Sequence, residues 1–261
     1  MKRKFPLIIF IVGALILSYP FYSQAFNSLY DSYNVSRYLK SNRRDFEAIR
    51  EQIKRDNEAL VFNAGDDPFG DLGGVWDDAL FAEHFIGEVV IPKINLSIPL
   101  FNTTSSALLE RGATVLNGTS QPLGAVDSHS VITAHRGLPN RELFTNITKL
   151  GIGDTFIVSS YGENLVYKVG RIEVVEPHET ESLIIESGMD IVTLLTCTPY
   201  MINSHRLLVS AYRTDDIEDV VAEVAATQNY QLYRSVGIMG AVFLVLGGGT
   251  FIFVKRSRKN K

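Results

Sequence analysis

The sequence is poor in cysteine and has no internal repeat. A single cysteine among 261 residues excludes a disulfide framework within the chain and any Cys-x-x-Cys zinc or redox motif. A formal net charge of -4 gives little support to nucleic-acid binding, and a hydrophobic content of 46% is too high for a disordered chain. A protein with a packed core and no nucleic-acid partner is therefore expected.

Charged residues are missing from two long apolar runs near the ends of the chain. None occurs between Phe5 and Asp31, and none from Val236 to Val254; basic residues flank both runs on their outer sides. A helix of about 20 residues spans the hydrocarbon core of a bilayer. Both runs therefore predict transmembrane helices, a reading favoured over buried core helices because they are terminal and bounded by Lys and Arg.

The remaining charge is distributed unevenly. The two basic ends together carry +8, and the segment between them carries -12 because every acidic residue lies between Asp31 and Glu223. By the positive-inside rule both ends are cytoplasmic, and residues of about 30 to 234 lie on the extracellular face of the cell membrane. Ser23-Gln24-Ala25 also offers small residues for a signal peptidase, so N-terminal cleavage is an alternative that leaves only the C-terminal anchor.

The outer segment divides into a helical part and a β-rich part. Residues of about 32 to 62 carry apolar side chains near a 3.6-residue period and predict an amphipathic helix, and residues 63–78 have the glycine, proline and aspartate of a loop. From Ile86 to Thr214 short runs of β-branched and aromatic residues alternate with turn residues, interrupted by a possible short helix from Arg141 to Leu150. Many short strands without helical crossovers predict a closed or nearly closed β-barrel.

Three residues at the ends of predicted strands form a candidate catalytic group. Cys197 ends an apolar strand and is followed by Thr-Pro-Tyr; alone, such a cysteine is more often a small core residue than a nucleophile. Arg206 lies nine residues further on, so a hairpin between the two strands brings it beside Cys197. His135 follows another apolar strand. An arginine can stabilise an oxyanion and a histidine can transfer a proton, but spacing alone leaves this trio suggestive.

Three motifs identify the family that this trio resembles. Thr133-Ala-His-Arg-Gly, Leu195-Thr-Cys-Thr-Pro-Tyr and Asn203-Ser-His-Arg-Leu-Leu-Val closely resemble, in order, the catalytic stretches of sortases. Sortases are membrane-anchored cysteine transpeptidases of Gram-positive bacteria. The resemblance implies a mostly β fold, a sortase-type closed eight-stranded barrel with short helices, with His135, Cys197 and Arg206 as catalytic residues.

Two further features resemble class C, the pilus-assembling sortases. Members of this class carry an Asp-Pro-aromatic lid motif before the barrel, here Asp67-Pro68-Phe69, and many have a second transmembrane helix at the C-terminus. By resemblance Asp67 pairs with Arg206 and Phe69 covers Cys197. The chain departs from the common family pattern at Met201, where glycine is usual, and at Ser204, where threonine is usual.

The resemblance also implies substrates and partners. The enzyme would cleave LPXTG-type sorting signals of pilin subunits through a thioester and join them to a lysine amine of another pilin, without a cofactor or a metal. Two alternatives stay open: a cell-surface cysteine protease or hydrolase, and a non-catalytic membrane-anchored pilus scaffold. The expected segments are an anchor or signal (1–28), a helical and lid region (29–84), the catalytic barrel (85–214), a linker (215–235), a transmembrane helix (236–254) and a basic tail (255–261).

Overall fold

The centre of the molecule is a closed barrel of eight strands. The computed structural model describes residues 5–41, 43–60, 69, 78–216 and 218–259. The strands are β1 (Phe85–Ile91), β2 (Leu96–Phe101), β3 (Ala113–Val115), β4 (Ser128–Thr133), β5 (Thr155–Ser160), β6 (Glu163–Val175), β7 (Asp190–Thr198) and β8 (His205–Arg213). Their order around the barrel is β1-β2-β3-β4-β7-β8-β6-β5. The prediction of a mostly β fold built on a closed eight-stranded barrel is confirmed.

Among the described residues, five α-helices accompany the barrel. They are α1 (Phe5–Ser41), α2 (Arg43–Glu58), α3 (Asp78–His84), α4 (Ser106–Leu109) and α5 (Val220–Lys259). Short 3₁₀ turns occur at Pro92–Ile94, Leu143–Lys149 and Glu181–Leu183. The short helix predicted from Arg141 to Leu150 is the second of these turns.

Side chains alternate between the inside and the outside of the barrel wall. On β7 and β8, Leu194 and Val209 face each other within the main core, whereas their neighbours Leu195 and Leu208 pair on the outer surface. Successive strand residues point to opposite faces, so one pair of strands serves both surfaces. The outer pair belongs to a second, smaller apolar cluster with Leu116, Val131 and Leu183. This outer cluster adjoins the residues described in the next section.

The strand that precedes His135 runs parallel to the strand that ends at Cys197. β4 and β7 pair in parallel from Ser128↔Asp190 to Thr133↔Leu195, and β7 and β8 pair antiparallel. Parallel strands point their carboxyl ends to the same edge. The end of β4, the end of β7 and the start of β8 therefore meet at one edge of the barrel.

The terminal helices are long and apolar. Both α1 and α5 are long and apolar enough to cross a membrane, and apolar side chains such as Leu17 (78% exposed) and Leu244 (77% exposed) face outward. The two helices pack together; Gly249 allows the close approach of the Phe10 ring, where a β-carbon would lie 2.5 Å from a ring atom. Exposed apolar helices of this length are consistent with membrane anchoring.

Helix extends beyond the predicted membrane spans at both ends of the chain. The helix predicted over residues 32–62 corresponds to the end of α1 followed by α2. The segment 215–235, expected as a linker, is helical from Val220 and continues without a break into the apolar part of α5. Of the lid motif, only Phe69 lies among the described residues; Asp67 and Pro68 lie outside them.

Candidate active site

Cys197 and Arg206 are direct neighbours on adjacent strands. In the β7–β8 ladder the Cα of Cys197 pairs with that of Arg206, as the hairpin predicted from their nine-residue spacing requires. Both residues share the outer face with the Leu195–Leu208 pair. The Cys197 residue is 5% exposed, so the thiol lies at the edge of the barrel in a shielded position.

The guanidinium of Arg206 is fixed by backbone acceptors. Its Nη1 donates to the carbonyl oxygens of Asn203 (3.0 Å) and His205 (2.9 Å), and the residue is 6% exposed. The planar guanidinium presents several donors in a fixed fork. His205 pairs with Thr198 and therefore points to the face opposite Cys197 and Arg206.

His135 lies at the same edge because the β4–β7 ladder continues past the end of β4. The amide of Ala134 donates to the Leu195 carbonyl (3.2 Å), and Thr196 Oγ1 donates to the Ala134 carbonyl (2.7 Å). The next residue is His135. Burial lowers the pKa of this imidazole below its ordinary value, and the negative charge of Glu110 partly opposes that effect. At neutral pH the ring is therefore mainly uncharged.

Phe69 joins His135 and Arg206 in one cluster. The centroid of its ring lies 5.4 Å from that of the His135 ring, and the Arg206 Cζ lies 5.3 Å from the Phe69 centroid. Phe69 also packs against the outer apolar cluster. Two of the three predicted catalytic side chains thus contact the lid aromatic. The pairing of Asp67 with Arg206 and the covering of Cys197 by Phe69 stay predictions.

Arg136 is a residue of this site that the sequence alone did not single out. Its Nη1 donates to Thr198 Oγ1 (3.1 Å) and lies 3.5 Å from the Cys197 carbonyl oxygen, while its Cζ lies 5.7 Å from the centroid of the Tyr200 ring. Arg136 therefore ties the residue after the histidine to the strand end that carries the thiol. Its position beside His135 was the available signal, but the long-range acceptor was not evident from spacing.

The loop between β7 and β8 contains two left-handed residues. Met201 has φ 66° and Asn203 has φ 60°, and the Thr198–Pro199 peptide bond is cis. Glycine adopts positive φ most readily, which explains why glycine suits the position that methionine occupies in this chain. Within the described residues, no group of three or more His, Cys, Asp or Glu side chains could hold a metal ion.

Comparison with known proteins agrees with this geometry. The family profile described as "Sortase domain" matches residues 89–214. A mutant of sortase C-1 from S. pneumoniae is 35% identical, with a TM-score of 0.64 over 71% of this chain and 99% of that one. The Group B Streptococcus Pilus Island 1 sortase C2 is 44% identical, with a TM-score of 0.59 over 65% and 97%. Sortase A of Bacillus anthracis is 25% identical over 78% of this chain and 90% of its own length.

Fold, site and relatives together define the class of protein. The chain belongs to the sortase family, whose members are cysteine transpeptidases. Within that family it is a class C sortase, as the solved sortase C structures that it resembles are.

Proposed function

We propose that this sortase polymerises pilin subunits, with Cys197 as nucleophile, His135 as proton carrier and Arg206 as oxyanion stabiliser. The proposal is carried above all by the pairing of Cys197 with Arg206 at the barrel edge where β4 delivers His135. Nucleophile, base and oxyanion donor are the three roles that acyl transfer requires. The pilin substrate is suggested by the class C resemblance.

In the first half-reaction the thiol attacks a peptide carbonyl. Cys197 Sγ bonds to the threonine carbonyl carbon of the Thr-Gly bond in an LPXTG-type signal, and its proton passes to the neutral His135. Arg206 donates hydrogen bonds to the oxyanion. When the C–N bond breaks, His135 returns the proton to the leaving glycine amine, and a thioester is left on Cys197. The lowered pKa of His135 suits this cycle, since the imidazole must first accept the proton.

In the second half-reaction an amine resolves the thioester. A lysine of another pilin, in its uncharged form, attacks the thioester carbonyl and loses a proton to His135. An isopeptide bond forms, the C–S bond breaks, and the thiolate recovers the proton. Burial of the site supports aminolysis because water competes less effectively at a shielded thioester.

The lid is proposed to hold the enzyme closed before substrate arrives. Phe69 already contacts His135 and Arg206, and by resemblance Asp67 pairs with Arg206. Replacing Asp67 and Phe69 with alanine should speed alkylation of Cys197. The Cys197→Ala protein is the labelling control, and an unchanged labelling rate would contradict a closed lid.

The membrane arrangement completes the proposal. The basic ends would lie in the cytoplasm and the barrel on the extracellular face, held by α1 and α5, with possible cleavage near residues 23–25 as the alternative already named. The N- and C-terminal helices have the length and composition of membrane spans, which supports two anchors. Protease protection in oriented membranes would test this: the barrel should be accessible from outside and the C-terminal tail from inside.

One experiment separates the proposal from its rivals. A sorting peptide is incubated with the enzyme, with and without a pilin domain that carries the acceptor lysine. A transpeptidase gives an isopeptide-linked product when the domain is present, whereas a protease releases the free acid at the same rate in both. A scaffold would support pilus polymerisation in cells even as Cys197→Ala, and that result would remove the catalytic assignment.

A further inference from the structure

The loop that follows His135 is held by the helix α1. The loop comprises residues 135–142 and is called the His135 loop below. Three polar side chains on α1 bond three consecutive loop residues: Gln24 Nε2 donates to the Pro139 carbonyl (3.3 Å), Asn27 Nδ2 donates to the Asn140 carbonyl (3.0 Å), and Asp31 accepts from Arg141 Nη1. The spacing of the helix residues places them on one face. One face of α1 therefore contacts the loop residue by residue.

The last of these contacts is a buried ion pair. The side chains of Asp31 and Arg141 are 12% and 4% exposed, and Arg141 Nη1 also donates to the Arg111 carbonyl (3.1 Å). Removing one member of a buried ion pair leaves the other charge buried and uncompensated, which strongly destabilises the fold. The pair therefore holds the Arg141 side chain firmly against Asp31. It anchors the far end of the His135 loop to both α1 and the barrel.

The other terminal helix holds the same loop from a second direction. Arg234 on α5 donates to Glu142 Oε2 (2.8 Å), although both side chains are partly exposed. Exposed pairs contribute little to stability. The α5 contact is therefore secondary to the α1 contacts.

Two hydrogen bonds connect the residues just after the loop to its first residues. The amide of Phe144 donates to the His135 carbonyl (3.0 Å), and the amide of Gly137 donates to Thr145 Oγ1 (3.1 Å). Phe144 is fully buried in the core. Because these two bonds join both ends of the loop, a displacement of residues 139–142 would also shift the backbone of His135.

We propose that Asn27 and Asp31 of α1 are positioning residues for His135. They act through the His135 loop and touch neither Cys197 nor the substrate. The inference rests on the proposed role of His135 in proton transfer. The inference gives α1 a role besides the proposed membrane anchoring, because the same helix fixes the position of the His135 loop.

A second helix–barrel contact provides a matched control. Gln228 on α5 donates to both carboxyl oxygens of Glu88 on β1 (2.8 and 3.0 Å), and Ser97 donates to the same carboxyl group (2.6 Å). These residues also tie a terminal helix to the barrel, but they contact strands β1 and β2 rather than the His135 loop. Gln228→Ala therefore weakens helix docking without touching the loop.

The test uses the full-length chain in detergent micelles and a fluorogenic sorting peptide. The variants are Asp31→Ala, Asp31→Asn, Asn27→Ala and Gln228→Ala, each checked for folding by circular dichroism. We expect Asp31→Ala to lower kcat on the order of tenfold with KM within about twofold, since a small misplacement of a catalytic group is costly. Asn27→Ala, which leaves no buried charge unpaired, should lower kcat about threefold. Asp31→Asn keeps an acceptor for Arg141 and should retain most of kcat.

The outcomes separate this inference from the proposed function. Gln228→Ala should keep the wild-type kcat. Wild-type kcat in folded Asp31→Ala and Asn27→Ala would overturn the positioning role, and so would an equal loss in Gln228→Ala or a change confined to KM. Peptide cleavage that persists in Cys197→Ala or His135→Ala would instead refute the proposed function itself.

Discussion

The oxyanion role proposed for Arg206 leads to a quantitative prediction for Arg206→Lys. The guanidinium is held in one orientation because its Nη1 donates to the carbonyls of Asn203 and His205. A lysine keeps the positive charge but is a point donor on a flexible stem, so it cannot hold both carbonyls and also direct a hydrogen bond to the oxyanion. The substitution therefore separates charge from geometry.

The expected loss is large and falls on the chemical step. Removing one donor of an oxyanion hole costs about 10²- to 10³-fold in kcat, or about 2.7–4 kcal/mol of transition-state stabilisation. Leaving the two backbone carbonyls without their donor should also reduce the free energy of unfolding by about 1–3 kcal/mol. We expect kcat for peptide cleavage to fall within that range while KM changes little, because the oxyanion is absent from the bound substrate and develops only in the transition state that leads to the tetrahedral intermediate.

The assay needs a control for the general effect of changing an arginine on β8. Arg213 lies at the other end of the strand and donates to the Val166 carbonyl (3.1 Å), away from Cys197. Arg213→Lys should keep kcat within about twofold, because the partners of Arg213 are the Val166 carbonyl, the Asp190 carboxylate and the Tyr167 ring, and none of these belongs to the proposed catalytic group. A folded Arg206→Lys enzyme whose kcat is within threefold of wild type would refute the geometric argument.

Three further predictions follow from other parts of the barrel. Glu110→Gln removes a charge that raises the pKa of His135, so a proton NMR titration should show that pKa lower than in wild type, and no decrease would contradict the assigned cause. Met201→Gly should leave the free energy of unfolding within about 1 kcal/mol of wild type, because glycine relieves the strain of the positive φ but makes the unfolded chain more flexible. Met201→Ile should lower the melting temperature, because a β-branched side chain fits a positive φ poorly. Burial raises the pKa of Asp190 to about 6, so the folded state binds the proton more tightly than the unfolded chain and loses stability as pH rises from about 4 to 6. Between pH 4.5 and 7.5 the loss is about 2 kcal/mol of unfolding free energy, because the unfolded carboxyl is already mostly ionised at pH 4.5. Asp190→Asn should remove this difference in urea unfolding at the two pH values, and an unchanged difference would count against the assignment.

Local patterns were sufficient for much of the fold and for the pairing at the site. Short runs of β-branched and aromatic residues between turn residues predicted the strands. The nine-residue spacing of Cys197 and Arg206 predicted their pairing, since a hairpin register follows from its loop length. The position of His135 at the end of β4 was also predictable. Its meeting with the other two residues depends on the parallel β4–β7 pairing, for which spacing gave no signal.

The contacts missed by the sequence analysis are those that join distant segments. Asn27 and Asn140 are separated by 113 residues, and Arg136 and Thr198 by 62. Polar residues near the end of an apolar run suggest only a membrane boundary, so nothing local identified Asn27 as a partner of the His135 loop. The lid stays a prediction: Phe69 contacts His135 and Arg206, while Asp67 falls outside the described residues.

Because β4 and β7 are far apart in sequence, their parallel pairing affects when the site around Cys197 forms during folding. The hydrogen bond from Thr196 to Ala134 joins residues 62 positions apart, so it cannot form while only one of the two strands has been synthesised. Non-local strand pairing is slow, because loop-closure entropy is lost before the contacts compensate for it. Until the barrel closes, the Cys197 thiol lacks the shielding of the native site and is accessible to oxidants. The rate of barrel closure therefore determines how long the single cysteine is exposed to oxidation while the protein folds.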